Sequence, residues 1–191
     1  MKVKGFLAFC KKAYKNSYLK VGMVIAILAI VGFSTVGQYG LTTDEPTELA
    51  MVRRNYELIT KGQPIPGDLK YFGTVFNVTS EIIFQISQYI KNGGRYDPTQ
   101  YQTAANDDYL KLKNIYDRIQ IKHPLTFLVS LITYISVAGL VGILAGWEFA
   151  WLAPVVLALF PRFWGHSFFN PKDIPFGGNI HFVYAIRSLF G

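Results

Sequence analysis

The sequence predicts an all-α integral membrane protein with three transmembrane helices, the start of a fourth, and interfacial helices in a long first external loop. Three observations carry that expectation. Val21 to Val36 holds no charged residue, and its only hydroxyls are Ser34 and Thr35. Pro124 to Gly146 again holds no charge. Lys2, Lys4, Lys11, Lys12, Lys15 and Lys20 all precede the first run, with no acidic residue among them. A hydrocarbon core of roughly 30 Å needs ~20 apolar helical residues, because each backbone N–H and C=O must be bonded inside the segment where water is absent.

Composition alone would not decide the class. A chain of 191 residues that is 51% hydrophobic and 16% aromatic could be an apolar globular domain, so the distribution carries the argument. Much of the net charge of +7 sits ahead of the first run. That is the positive-inside pattern rather than a nucleic-acid patch, and no nucleic-acid partner is expected. It assigns residues 1–20 to the cytoplasm and residues 21–39 to transmembrane helix 1. A cleaved signal peptide is the competing reading, because the n-region is basic and Ser34, Gly37 and Gly40 are small. The apolar stretch is longer than a usual signal core. Cys10 is the only cysteine, so no internal disulfide is available.

Residues 40–123 form the external loop. Leu49, Val52, Tyr56 and Ile59 recur near helical spacing after Thr43-Asp44-Glu45-Pro46, and Gly62 to Gly67 with Pro64 and Pro66 closes that helix. Tyr71 to Ile90 reads as an amphipathic helix, interrupted by Asn77, Ser80, Glu81 and Gln85, that lies along the membrane interface. Asn92-Gly93-Gly94 ends it, and Tyr96 to Ala105 is loop. Asp107 and Asp108 then start a third external helix running to about Ile121.

Transmembrane helix 2 spans residues 124–146 and turns at Gly146-Trp147-Glu148. Residues 149–164 carry Pro154, Pro161 and Arg162, which leaves a short kinked span or a re-entrant segment; the span, transmembrane helix 3, is the expectation. Residues 165–179 make a second external loop, and residues 180–191 begin the fourth apolar run.

This topology sets two acidic motifs on one outer face. Asp44 and Glu45 follow the first span at the depth of the lipid headgroups. A carboxylate there suits a general base for an incoming hydroxyl, or a ligand for a divalent cation bridging phosphate oxygens. The plainer reading is a helix cap followed by Pro46, and the two roles are compatible. Asp173 lies in Phe168-Phe169-Asn170-Pro171-Lys172-Asp173-Ile174-Pro175, where the prolines stiffen a turn that presents Asn170, Lys172 and Asp173. Its plainer reading is an interfacial turn with an aromatic belt of Phe163, Trp164, Phe168 and Phe169. Arg162 and His166 could clamp a phosphate or relay a proton, and both also suit ordinary interface positions.

His123 and His181 have no partner at metal-ligand spacing and read as structural. Asn77-Val78-Thr79 fits the N-glycosylation pattern. A transporter would place ionisable groups inside the spans, and the first two spans have none.

The Asp44-Glu45 pair, the interfacial helices after it and the His166-Ser167-Phe168-Phe169-Asn170-Pro171-Lys172-Asp173 segment together resemble the start of a GT-C fold glycosyltransferase. The similar group is the protein-mannosyltransferase type, also called glycosyltransferase family 39. The resemblance implies transfer of a sugar from a polyprenyl-phosphate donor to an acceptor hydroxyl, with inversion, on the non-cytoplasmic face. It implies Asp44 as base or acceptor-orienting carboxylate, Glu45 as its motif neighbour, and Asp173 as the second-loop acid. Lys172, Arg162 and His166 as donor-phosphate contacts follow from charge and position. The acceptor would be a glycan, lipid or protein.

Family members carry many more spans, and the resemblance covers only their N-terminal part. The expectation is therefore a chain that is inactive alone or completed by a protein partner. A bacterial inner membrane or plasma membrane is the expected location. The competing function is a non-catalytic membrane protein whose external helices bind a protein or a lipid.

Overall fold

A computed structural model describes residues 16–65, 74–95 and 108–174. The N-terminal lysines 2 to 15, Cys10, the loop from Tyr96 to Ala105, Asp107, His181 and the fourth apolar run at residues 180–191 lie outside the described residues. Among the described residues all regular structure is helical: α1 (Ser17–Thr35, prolonged by a 3-10 turn Val36–Gln38), α2 (Glu45–Lys61), α3 (Thr74–Lys91), α4 (Asp108–Ala145), α5 (Leu152–Ala158) and α6 (Pro161–Phe169). Two of these segments, Ser17–Gln38 and Ile115–Ala145, are long and apolar enough to cross a membrane. A third crossing exists if the bent pair α5 and α6 is one span.

α1 starts where Asn16 caps it. The Asn16 side chain accepts from the backbone N–H of Tyr18 at 3.1 Å and of Leu19 at 3.2 Å, so the helix opens at Ser17, ahead of the sequence-predicted boundary at Val21. Two hydroxyls near its C-terminal end are satisfied within the helix: Ser34 donates to the Val31 carbonyl at 2.7 Å and Thr35 to the same carbonyl at 3.0 Å.

The separate third external helix and second span of the sequence reading are one helix, α4, 38 residues long with Pro124 inside it. At 1.5 Å per residue it measures about 57 Å, far more than a hydrocarbon core of roughly 30 Å. Proline is tolerated there because it removes one N–H but leaves the flanking turns intact.

The chain divides into two compact units, Met1–Val36 with Thr126–Gly191, and Gly37–Leu125. In the first, α1 and the second half of α4 run antiparallel. Near one end the Tyr18 ring lies against Trp147, centroids 4.5 Å apart. Near the other, Gly32 meets Phe127 so closely that a Cβ would fall within the ring. Phe127 stacks on Phe168 at 4.9 Å, 4° from parallel, and takes Phe33 edge-on at 5.1 Å. Phe168 is fully buried. The interfacial belt expected of Phe168 is thus corrected: ring stacking on Phe127 makes it core.

The Gly146 turn is where expected, and its φ of +103° explains the glycine, since side-chain-bearing residues rarely adopt that conformation. Beyond it, the run at residues 149–164 does not form one straight helix. α5 and α6 meet at 81° across Leu159 and Phe160, with Pro161 opening α6.

In the second unit α2 packs on α3. Met51 and Phe84 are buried between helices, whereas Ile59, expected on the inner face of α2, is 82% exposed. α3 turns Asn77, Ser80 and Phe84 inward and leaves Val75, Ile82, Ile86 and Ile90 exposed. Asn77, the first residue of the Asn77-Val78-Thr79 pattern, is 2% exposed, so its amide is buried in the folded chain.

Candidate functional site

Two polar clusters stand out, one in each unit. The first is built on the opening turn of α2. The Asp44 carbonyl accepts the first helical bond, from the Glu48 amide at 3.0 Å, so Asp44 holds the cap position that the sequence suggested. The Glu45 carboxylate reaches back to accept from the Thr42 amide at 2.8 Å, closing the turn that leads into the helix. The other oxygen of Glu45 accepts from His123 Nε2 at 2.6 Å. Lys122 Nζ lies 3.8 Å from Glu45 and is hydrogen-bonded to Glu48.

All four of these side chains are buried. Removing an ion from water is costly, and only a partner with matched geometry offsets it. Here two carboxylates share a lysine and a histidine. Burial alone would raise the Glu45 carboxyl. The His123 hydrogen bond, the Thr42 amide and the nearby His123 and Lys122 charges outweigh burial and hold it below the usual value of 4.5. Glu45 therefore stays ionised through the neutral range. Asp44, the residue before it, is exposed.

A neighbouring ion pair supports this cluster. Arg118, one turn before Lys122 on α4, binds Glu81 of α3 through two contacts of 2.7 and 3.0 Å and lies over the Phe84 ring at 4.5 Å. Such a two-pronged guanidinium contact fixes geometry as well as charge.

The second cluster follows α6. His166 sits in the last turn and Asn170 caps it. Asn170 Nδ2 lies 2.8 Å from His166 Nδ1 and 2.9 Å from Asp173 Oδ2. Asn170 Oδ1 accepts the Lys172 and Asp173 amides at 3.2 and 3.0 Å. Arg162, in the first turn of α6, is exposed, and Lys172 is half-buried.

The sequence-predicted residues thus fall into two groups. Asp44 and Glu45 belong to the second unit; Arg162, His166, Lys172 and Asp173 belong to the first. Asn170 ties His166 to Asp173. Sequence reasoning missed Glu48 and Lys122, and it left His123 as structural, yet these three fix Glu45 and the turn that bears Asp44. The signal was a stripe. Ile119, Lys122, His123, Thr126, Phe127 and Ser130 recur at three- and four-residue steps and are all buried.

Among the described residues no group of three or more His, Cys, Asp or Glu side chains could hold a metal ion. The two buried carboxylates are engaged by Lys122 and His123, so this cluster does not fit a divalent cation. Comparison with known proteins finds no matching family model, no matching curated protein and no matching solved structure.

Proposed function

We propose that this chain carries part of a sugar-transfer site that uses a polyprenyl-phosphate-linked donor on the non-cytoplasmic face of a membrane. The proposal takes α1 as an outward span from a cytoplasmic N-terminus, α4 as the return, and α5 with α6 as a broken third span. α2 and α3 are then external and interfacial. The membrane is a bacterial inner membrane or a plasma membrane.

The observation that carries the reading is the first turn of α2. Glu45 is locked by His123, Lys122 and Thr42, and Asp44 stands beside it, exposed and just past the end of a candidate span. Glu45, fully buried in its cluster, acts here as a positioning carboxylate. Asp44 is the base: it accepts the proton of an acceptor hydroxyl while that oxygen bonds to the sugar's anomeric carbon from the face opposite the phosphate. The carbon–oxygen bond to the phosphate breaks, its electron pair leaves with polyprenyl phosphate, and configuration inverts. The resemblance would make Arg162, Lys172 and His166 the cationic or N–H contacts for a donor phosphate and Asp173 the second-loop acid; these four belong to one unit and Asp44 to the other.

The test is transfer of radiolabelled sugar from undecaprenyl-phosphate-linked donors in membranes that hold the chain and its natural partners. Asp44→Asn keeps size and capping ability but removes the base, and a general base contributes typically ~10²–10⁴-fold. A loss in that range with unchanged helicity is expected. Full activity in Asp44→Asn would refute the assignment.

One observation favours a second reading, a non-catalytic protein whose external helices bind a lipid or protein. α3 exposes Val75 (82%), Ile86 (54%) and Ile90 (70%) on one stripe. Under it, Ile86→Ser with Ile90→Ser abolishes binding and Asp44→Asn is silent.

A further inference from the structure

The loop after α6 holds a hydrogen-bond arrangement that fixes the orientation of the Asn170 side-chain amide. Asn170 Oδ1 faces two backbone amides, those of Lys172 at 3.2 Å and Asp173 at 3.0 Å. An amide N–H only donates, so the atom facing it must be the side-chain oxygen, and the orientation of the Asn170 amide is thereby fixed. Its NH₂ group then points to His166 Nδ1 at 2.8 Å and to Asp173 Oδ2 at 2.9 Å. That group has two hydrogens and no lone pair to offer, so one hydrogen goes to each. His166 Nδ1 is therefore an acceptor. The proton of the neutral ring sits on Nε2.

We propose that Asn170 is the positioning residue of this loop: it sets His166 as a hydrogen-bond donor through Nε2, toward a phosphate oxygen, and holds the Asp173 carboxylate in fixed relation to it. The naming of a phosphate rests on the transferase reading above; the tautomer does not. An imidazole with Nδ1 engaged and a proton on Nε2 has no lone pair left to take a proton. His166 is thus a donor to an anionic oxygen and not a base, which leaves the base role to a carboxylate. Turning the ring over would bring a C–H against the Asn170 NH₂ group and lose the bond. The Phe169 ring, 5.5 Å away, flanks the imidazole.

The experiment uses full-length chain with ¹⁵N-labelled histidine in detergent micelles at pH 8, read by two-bond ¹H–¹⁵N correlation. His166 is identified among His123, His166 and His181 by the signals missing in His166→Gln. The expected pattern is an unprotonated Nδ1 and a protonated Nε2. Asn170→Asp keeps an oxygen for the two backbone amides but sets a carboxylate oxygen against Nδ1, so His166 should change to a form protonated at Nδ1. A wild-type Nδ1–H form, or the same tautomer in wild type and Asn170→Asp, overturns the positioning role. The wild-type spectrum decides alone if the variant does not fold.

Undecaprenyl phosphate and inorganic phosphate are then added separately. A shift of the His166 Nε2–H signal by either supports the phosphate assignment, and a response to the lipid alone adds a tail requirement. The expected tautomer with no response to either overturns the ligand while leaving the positioning role standing. Sugar transfer by Asp44→Asn does not enter this readout, so the two proposals fail separately.

Discussion

The two units are held together by opposite means. In one, Phe33, Phe127, Trp164 and Phe168 pack ring against ring, and α1 approaches Phe127 through a glycine. In the other, the buried interior includes Glu45, Glu48, Lys122 and His123. The first pattern suits an apolar medium, where water cannot compete and shape decides which helices associate. The second is costly in stability terms and gains in geometric definition, since a charge left without its partner is penalised heavily. Where function needs a carboxylate at a fixed place, the polar interior is the one that supplies it.

The largest test of this contrast breaks one charge. Lys122→Met leaves Glu48 buried without its cation and should cost about 3–5 kcal/mol, whereas Lys122→Met combined with Glu48→Leu should recover most of the loss. Far-UV circular dichroism during chemical denaturation in micelles measures both. All three tryptophans, Trp147, Trp151 and Trp164, lie in the aromatic unit, so tryptophan fluorescence follows that unit separately and should barely move. Equal losses by both probes would break the comparison.

A complementary change strikes the aromatic unit. Gly32→Val forces β-branched atoms into the space of the Phe127 ring and should cost roughly 1–3 kcal/mol through overpacking, seen first by tryptophan fluorescence.

Acid should divide the units next. The Glu45 carboxyl is held below 4.5, so the unfolded chain takes up its proton at higher pH than the folded one. Its contribution is complete above about 4.5 and is lost as pH falls through the folded value below that. Glu45→Gln should flatten this component of the acid transition in circular dichroism, with no change in the fluorescence transition. The smallest effect belongs to the surface of α3, where Ile86→Ser should alter stability by less than about 0.5 kcal/mol.

Much of the helical plan was legible because bilayer-length segments advertise themselves by the absence of charge. Val21 to Val36 needed no tertiary knowledge. The boundary drawn at Pro124 was misplaced, because the charge-free run begins there although the helix that carries it already starts at Asp108. That choice also hid the candidate site. Once the buried stripe from Phe127 is extended backward through Pro124, Lys122 and His123 fall on it, and ionisable residues on an inward stripe ask for partners. The partner itself was beyond reach. Glu45 lies 78 residues from His123, and no local pattern connects them. In the aromatic unit the Phe168 pairing with Phe127 was equally invisible, since both rings suit an interface or a core until the helices are placed. The Asn170 turn was different: its prolines marked a stiff loop, and only the atom-level pairing remained to be found.

Pro124 has one more consequence. It offers no N–H to the carbonyl of Gln120, so the hydrogen-bond ladder of α4 lacks one rung just before residue 125, where one unit gives way to the other. Helical order spreads by each bond favouring the next, and a missing bond weakens that propagation at one point. The 38-residue helix therefore need not melt as a single cooperative body. Restoring the rung with Pro124→Ala would merge two unfolding steps toward one, making the proline the element that lets this chain lose one half while keeping the other.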